Sequence, residues 1–188
     1  WVEEVPATAK TVLQGFVSKH RKTLGTTALE TAGNSYRLAL PRDAIDANRF
    51  HDLVTAARDL DGHERMASLG EAVDLWRGSA LSDVAYEPFA QAAIAALEEH
   101  RLAAREALIG AQLDTGLHGE LVPQLEDLIA DHPYRERLRG QLMLALYRSG
   151  RQAEALEAYR DGRQVFVEEL GIDPAPALQE LEGAILRQ

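Results

Sequence analysis

Lys10, Thr11, Gln14, Ser18, Lys19, Arg21 and Lys22 fall on one arc of a helix predicted over residues 7–24, when side chains are placed at about 100° per residue. Ala9, Val12, Leu13, Phe16, Val17 and Leu24 fall on the opposite arc, which is expected to face a core. All three lysines of the chain lie on the polar arc. The chemistry open to such a face is recognition of a polyanion. Lysines at its margins can neutralise phosphates, and Thr11, Gln14, Ser18 and Arg21 near its middle can reach base edges. Thr8, at the start of the same segment, joins this set. The bland account is an amphipathic surface helix with one solvated face.

The elements around this helix support the first account. Gly25 is a fitting helix stop. Residues 27–40 read as two short extended runs around Ala32, Gly33, Asn34 and Ser35, with Tyr36, Leu38 and Leu40 alternating against Arg37 and Ala39. A basic helix followed by a hairpin, whose tip Asn34 and flank Arg37 can reach a phosphate, is the working end of a winged helix-turn-helix. Charge is divided accordingly. Through Asp43 there are six basic and four acidic residues, a net of +2, which leaves −12 for the remainder of a chain whose formal charge is −10. An acidic body meets a polyanion only through a basic module turned toward it.

The 188 residues contain no cysteine, which excludes disulfides and thiolate metal sites and fits a cytoplasmic protein. No apolar run approaches a membrane span, and the start is not a signal peptide. The chain opens on Trp1, so residues are expected to precede it.

From Asp46 onward the pattern is helical, without strand signals. One helix starts at Asp46 and carries Phe50, Leu53, Val54 and Ala57. A second, after Asp61 and Gly62, carries Met66, Leu69, Val73 and Trp76 and ends near Gly78. A long one opens at Pro88 and runs to Gly116. Further helices carry Leu121, Leu125 and Leu128; Leu138, Leu142, Ala145 and Leu146; Ala155, Leu156, Tyr159, Val165 and Phe166; and Leu178, Leu181 and Ile185. Gly116 and Gly150, 34 residues apart, mark inter-helix turns at the period of tetratricopeptide-like repeats, with Pro133 closing the first unit and Ala155 expected at a close helix approach. Gly162 stands where a second alanine is expected, and its helix runs about a turn long before Pro174. Thr115, beside the first turn, is expected to be wet. Stacked hairpins present protein-binding surfaces more often than catalytic ones.

Several motifs in order resemble one family across essentially the whole chain. Pro6-Ala7-Thr8-Ala9-Lys10, Leu13-Gln14, Val17-Ser18 and Arg21-Lys22 are similar to the recognition helix of the actinobacterial antibiotic regulatory proteins, the SARP family. Tyr36-Arg37-Leu38 is similar to the second strand of their wing. Asp46-Ala47, Phe50, Ala72-Val73-Asp74-Leu75-Trp76-Arg77-Gly78 and Ala80-Leu81-Ser82-Asp83 resemble the start of their bacterial transcriptional activator domain. Pro133, Glu136, Leu142-Met143, Ala145-Leu146, Gly150-Arg151, Ala155-Leu156, Tyr159, Glu169-Leu170-Gly171 and Asp173-Pro174 resemble the rest of it. The resemblance implies an OmpR-type winged helix that binds promoter direct repeats, and a helical domain that supports dimerisation and contact with RNA polymerase. The family's small sheet and first helix before the recognition segment are missing here. His20 stands where the family tends to place leucine and is expected to be partly buried at an interhelix contact.

The expected fold is therefore mainly α: a partial winged helix-turn-helix over residues 1–43 and an all-α, tetratricopeptide-like domain over 44–188. The expected function is a DNA-binding transcriptional activator with no cofactor and no catalytic or metal site. The DNA-binding candidates are Thr8, Lys10, Thr11, Gln14, Ser18, Lys19, Arg21, Lys22, Asn34 and Arg37. The expected partners are double-stranded promoter DNA, RNA polymerase holoenzyme and a second copy on DNA, with no membrane. The scattered histidines offer no metal-ligand spacing, and Glu98-Glu99 and Glu168-Glu169 read as solvated faces rather than acid–base pairs. Two alternatives stand beside this. One is a helical-repeat adaptor without working DNA binding; the other is the amino-terminal part of a larger regulator whose remainder senses a nucleotide or phosphopeptide.

Overall fold

The computed structural model describes residues 6–187; Trp1, Glu3, Glu4 and Gln188 lie outside them. The chain divides into two compact units, 1–49 and 50–188. The dividing point falls inside a helix, between Arg49 and Phe50, whereas the boundary expected after Asp43 lies before that helix.

The first unit contains helix α1 (Ala9–Leu24) and the antiparallel strands β1 (Leu29–Ala32) and β2 (Ser35–Leu38). Leu29 pairs with Leu38, Glu30 with Arg37, Thr31 with Tyr36 and Ala32 with Ser35. The Gly33-Asn34 loop has glycine in its first position at φ +61°, the conformation that lets a two-residue loop follow the strand twist. Gly25, at φ 92°, ends α1 and donates its N–H to the Arg21 carbonyl at 3.0 Å. The apolar arc of α1 departs from expectation. Ala9 and Val17 are buried, but Val12, Leu13, Phe16 and Leu24 are exposed, because one short hairpin offers too little surface to cover a four-turn helix. His20 is exposed as well, which corrects its expected burial.

Helix α2 (Asp46–Ala56) crosses the dividing point. The second unit continues with α3 (Gly62–Asp74), α4 (Gln91–Asp114), α5 (Val122–Asp131), α6 (Glu136–Arg148), α7 (Gln152–Val165) and α8 (Pro176–Leu186). Helix α3 stops at Asp74, a turn short of the end expected near Gly78, and the Trp76 N–H closes a turn on the Val73 carbonyl at 3.1 Å. The 24-residue α4 is the shared spine. Its Ala104 packs with Phe50 and Ala72, its Ala111 with Ala57 and Leu69, and its Leu102, Ile109 and Leu113 enter the main core with α5 to α8. Phe50 and Trp76 meet edge to face, with centroids 5.4 Å apart, an arrangement favoured by the ring quadrupoles.

The repeat is visible in its hydrogen bonds. At the α4 end, Gly116 (φ 97°) donates to the Leu113 carbonyl at 3.3 Å and Leu117 to Gln112 at 3.1 Å; at the α6 end, Gly150 (φ 79°) donates to Tyr147 at 2.9 Å and Arg151 to Leu146 at 2.9 Å. Both turns reverse the chain through a left-handed glycine, where a Cβ would be strained. A hydroxyl residue precedes each glycine and bonds back into the helix end, three residues back at the first turn and four at the second. Thr115 Oγ1 donates to the Gln112 carbonyl at 2.9 Å, and Ser149 Oγ to Ala145 at 2.7 Å. Thr115 is thus half-buried and built into the turn, contrary to the wet position expected.

Ala155 is fully buried in the main core, as its repeat position requires. Ala155→Leu should overpack this contact and destabilise the unit by about 1–3 kcal/mol, measurable as a lower urea midpoint at unchanged m. A variant as stable as the parent would place the close approach elsewhere.

Candidate nucleic-acid interface

Helix α1 forms from a run with good helix formers and no internal proline. Arg21 and Lys22 in its last turn complement the negative end of the helix dipole. Its polar arc is open to solvent: the side chains of Thr8, Lys10, Thr11, Gln14, Ser18, Lys19 and Lys22 are all exposed. Among the described residues none of the three lysines has an ion-pair partner. Three positive charges with no ion-pair partner among the described residues leave a positive field over one helix face. A field of this kind attracts polyanions and weakens with salt.

Arg21 is placed differently from the rest. Its Nε donates to the Leu29 carbonyl at 2.7 Å and its Nη2 to Thr31 Oγ1 at 2.9 Å, with the guanidinium 5.9 Å from the centre of the Tyr36 ring. Instead of pointing outward, it ties the end of α1 to β1, because the planar fork can bond a carbonyl and a hydroxyl at once, and it meets β2 through the Tyr36 ring. Arg37 is also engaged. Its Nη2 donates to Glu30 Oε2 at 2.6 Å across the strand pair, so it brings less free charge to the face than the lysines do. Asn34 is exposed at the hairpin tip, where Ser35 Oγ closes the turn on the Ala32 carbonyl at 2.8 Å.

The structure therefore groups the candidates as an open helix face (Thr8, Lys10, Thr11, Gln14, Ser18, Lys19, Lys22), a hairpin tip (Asn34) and two engaged arginines (Arg21, Arg37). Sequence reasoning missed the positioning residues Glu30, Thr31 and Tyr36. Strand alternation could have found Glu30, since a carboxylate directly across from an arginine is a favoured cross-strand pair. The hold of Thr31 on Arg21 depends on how the helix packs, which no local pattern carries.

The paired glutamates are used structurally. Glu98 accepts from the Ala80 N–H at 2.7 Å and Glu99 from Arg135 at 2.7 Å; Glu168 accepts from Gln164 at 2.9 Å and Glu169 from the Tyr134 hydroxyl at 2.6 Å. Among the described residues no cluster of three histidines or carboxylates is placed to hold a metal, and no helix is long and apolar enough to cross a membrane.

Residues 45–186 match the family described as "Bacterial transcriptional activator domain". The whole chain is similar to the regulatory protein AfsR of Streptomyces coelicolor, at 43% identity over 19% of that protein, and to the regulatory protein DnrI of Streptomyces peucetius, at 36% identity over 74% of it. Among solved structures it is similar to EmbR of Mycobacterium tuberculosis in complex with a low-affinity phosphopeptide. That match has a TM-score of 0.92 and 35% identity, covering all of this chain and 52% of that one. The chain spans about a fifth of the length of the AfsR proteins. With a family match over most of its length and relatives that are regulatory proteins, the chain belongs to the SARP family of bacterial transcriptional regulators.

Proposed function

We propose that the chain is part of a DNA-binding transcriptional activator. In this reading α1 lies in a major groove of promoter DNA, the β1–β2 hairpin touches the neighbouring backbone, and the helical unit engages RNA polymerase and a second copy of the chain on direct repeats. The work would take place in the cytoplasm. The observation that carries the reading is the open polar face of α1, where three lysines with no ion-pair partner among the described residues flank Thr11, Gln14 and Ser18 beside a hairpin. Lysines of this kind neutralise phosphates, and hydroxyls and amides of this kind reach base edges. No cofactor enters the reading.

The test is a titration of the 188-residue chain against a labelled duplex at several salt concentrations. Lys19→Ala and Lys22→Ala should each weaken binding to any duplex and flatten the salt dependence by about one unit. If neither substitution changes affinity or slope, the lysine face is only solvated surface. One observation favours the adaptor as a second reading: Val12, Leu13 and Phe16 are exposed on the opposite face of the same helix, an apolar stripe that suits a protein partner. Failure to bind duplex DNA at low salt would favour it.

A further inference from the structure

The segment joining α3 to α4 presents the two most exposed large apolar side chains among the described residues, Tyr86 at 98% and Phe89 at 76%, with Leu81 also exposed. The segment is firmly built. Two 3-10 turns, Ser82–Val84 and Pro88–Ala90, are closed by Val84 N–H to the Leu81 carbonyl at 2.9 Å, Glu87 N–H to Val84 at 3.0 Å and Ala90 N–H to Glu87 at 3.0 Å. Gln91 Nε2 donates to the Ala85 carbonyl at 2.6 Å. Its two ends are pinned by buried Ala80 and Ala90, and the Ala80 N–H donates to Glu98 Oε1 of α4 at 2.7 Å.

Leu81 is the one non-glycine among the described residues with a positive φ (φ 49°, ψ 39°). A branched side chain in the left-handed region is costly, and such residues persist where surrounding contacts over-determine them, often at functional surfaces. Here the strain does not bury the leucine; it holds an apolar side chain out in solvent, near two aromatic rings in sequence.

Charge indicates what would cover these side chains. Residues 79–91 contain Asp83 and Glu87 and no lysine, arginine or histidine. Both carboxylates are exposed, and neither has an ion-pair partner among the described residues, whereas Glu98, Glu99 and Glu106 are all paired with arginines. Two such carboxylates, interleaved in sequence with two exposed aromatic rings, complement a basic segment with apolar anchors. Arginine suits both features, since a guanidinium can pair with a carboxylate and stack on a ring. Another copy's helical unit is a poor occupant because it is itself strongly acidic.

We propose that this platform, Leu81, Asp83, Tyr86, Glu87 and Phe89, is where the helical unit holds a basic, arginine-bearing segment of RNA polymerase. The proposal rests on the reading above that the helical unit engages the polymerase. Aromatic anchors carry much of the energy of protein interfaces, and a backbone already held by hydrogen bonds lowers the cost of ordering on binding.

The test uses the 188-residue chain and purified RNA polymerase holoenzyme from a Streptomyces, with affinity read by biolayer interferometry at three salt concentrations. Thermal midpoint, duplex affinity and oligomeric state are recorded for every variant. Tyr86→Ala with Phe89→Ala should weaken polymerase binding about tenfold. Asp83→Asn with Glu87→Gln should weaken it several-fold and flatten its salt dependence. Neither pair should move the thermal midpoint or duplex affinity. If the parent chain binds polymerase and both double variants bind equally well, the platform is not the surface, although the polymerase reading stands. If the parent chain does not bind polymerase, that reading fails and the proposal with it. If the aromatic pair alters the oligomeric state and leaves polymerase binding intact, the face joins copies of the chain and the proposal is overturned.

Discussion

Phe166→Ala should cost the helical unit about 3–5 kcal/mol, the range for removing a large aromatic side chain from a packed core. Phe166 is 1% exposed and belongs to the main core. It opens a five-residue π-helical turn, Phe166–Leu170, at the end of α7. That widened turn accounts for the helix running long before Pro174, and π-turns of this kind recur where a helix must accommodate an unusual contact. The contact here is Arg139. Its guanidinium lies 5.5 Å from the centre of the Phe166 ring, and its Nε and Nη2 donate to the Pro133 carbonyl at 3.1 and 2.9 Å. Burial pushes the Arg139 guanidinium below its ordinary value, and nearby Asp161 opposes this.

The same arginine explains Gly162. A Cβ at that position would stand 2.9 Å from Arg139 Cδ, so the alanine expected from the repeat gives way to glycine and the space is filled by arginine. Phe166→Ala therefore removes a core ring and the face against which a buried cation is stacked. Urea unfolding monitored by circular dichroism would read the loss. Phe166→Leu, which keeps most of the volume, should recover much of the stability. A loss below about 1 kcal/mol for the alanine variant would mean that the turn collapses around the gap, and that Arg139 does not depend on the ring.

Arg21→Ala should weaken binding to every duplex about tenfold, whether its sequence is selected or scrambled. Two charge-assisted hydrogen bonds join α1 to the hairpin through this side chain, and each such bond contributes of order 1 kcal/mol or more. Losing both frees the hairpin to move against the helix, so the penalty falls on the shared geometry and not on one base pair. Arg21→Lys should rescue little, because an ammonium lacks the planar fork that bonds the Leu29 carbonyl and Thr31 together. Anisotropy titrations against duplexes selected from a random pool, and against scrambled versions of them, would decide. A loss confined to the selected duplexes would instead give Arg21 the base-reading role that its place on the polar arc suggested.

The amphipathic period of α1, the glycine-centred hairpin and the order of the seven following helices were legible because each rests on contacts between residues close in sequence. The 34-residue spacing of Gly116 and Gly150 was legible for the same reason. Each glycine serves a turn that only a left-handed residue can make, and the turn bonds span five residues or fewer. The polar set on α1 could be listed from its arc. Its division into open lysines and an engaged arginine could not, since that depends on where Leu29 and Thr31 lie relative to the helix.

Composition, local period and turn chemistry thus determined by themselves that this chain would be a basic helix and hairpin followed by stacked acidic helices, since backbone hydrogen bonding and amphipathic patterning act over a few residues. Tertiary structure alone decided the rest. It left Val12, Leu13 and Phe16 uncovered, turned Arg21 inward, half-buried Thr115, exposed His20, matched Gly162 to Arg139 and held Tyr86 and Phe89 out in solvent. Each of these outcomes depends on which distant surfaces meet. Side-chain burial and pairing are properties of three-dimensional neighbours, and a periodic sequence pattern marks which face of a helix could be covered without naming what covers it.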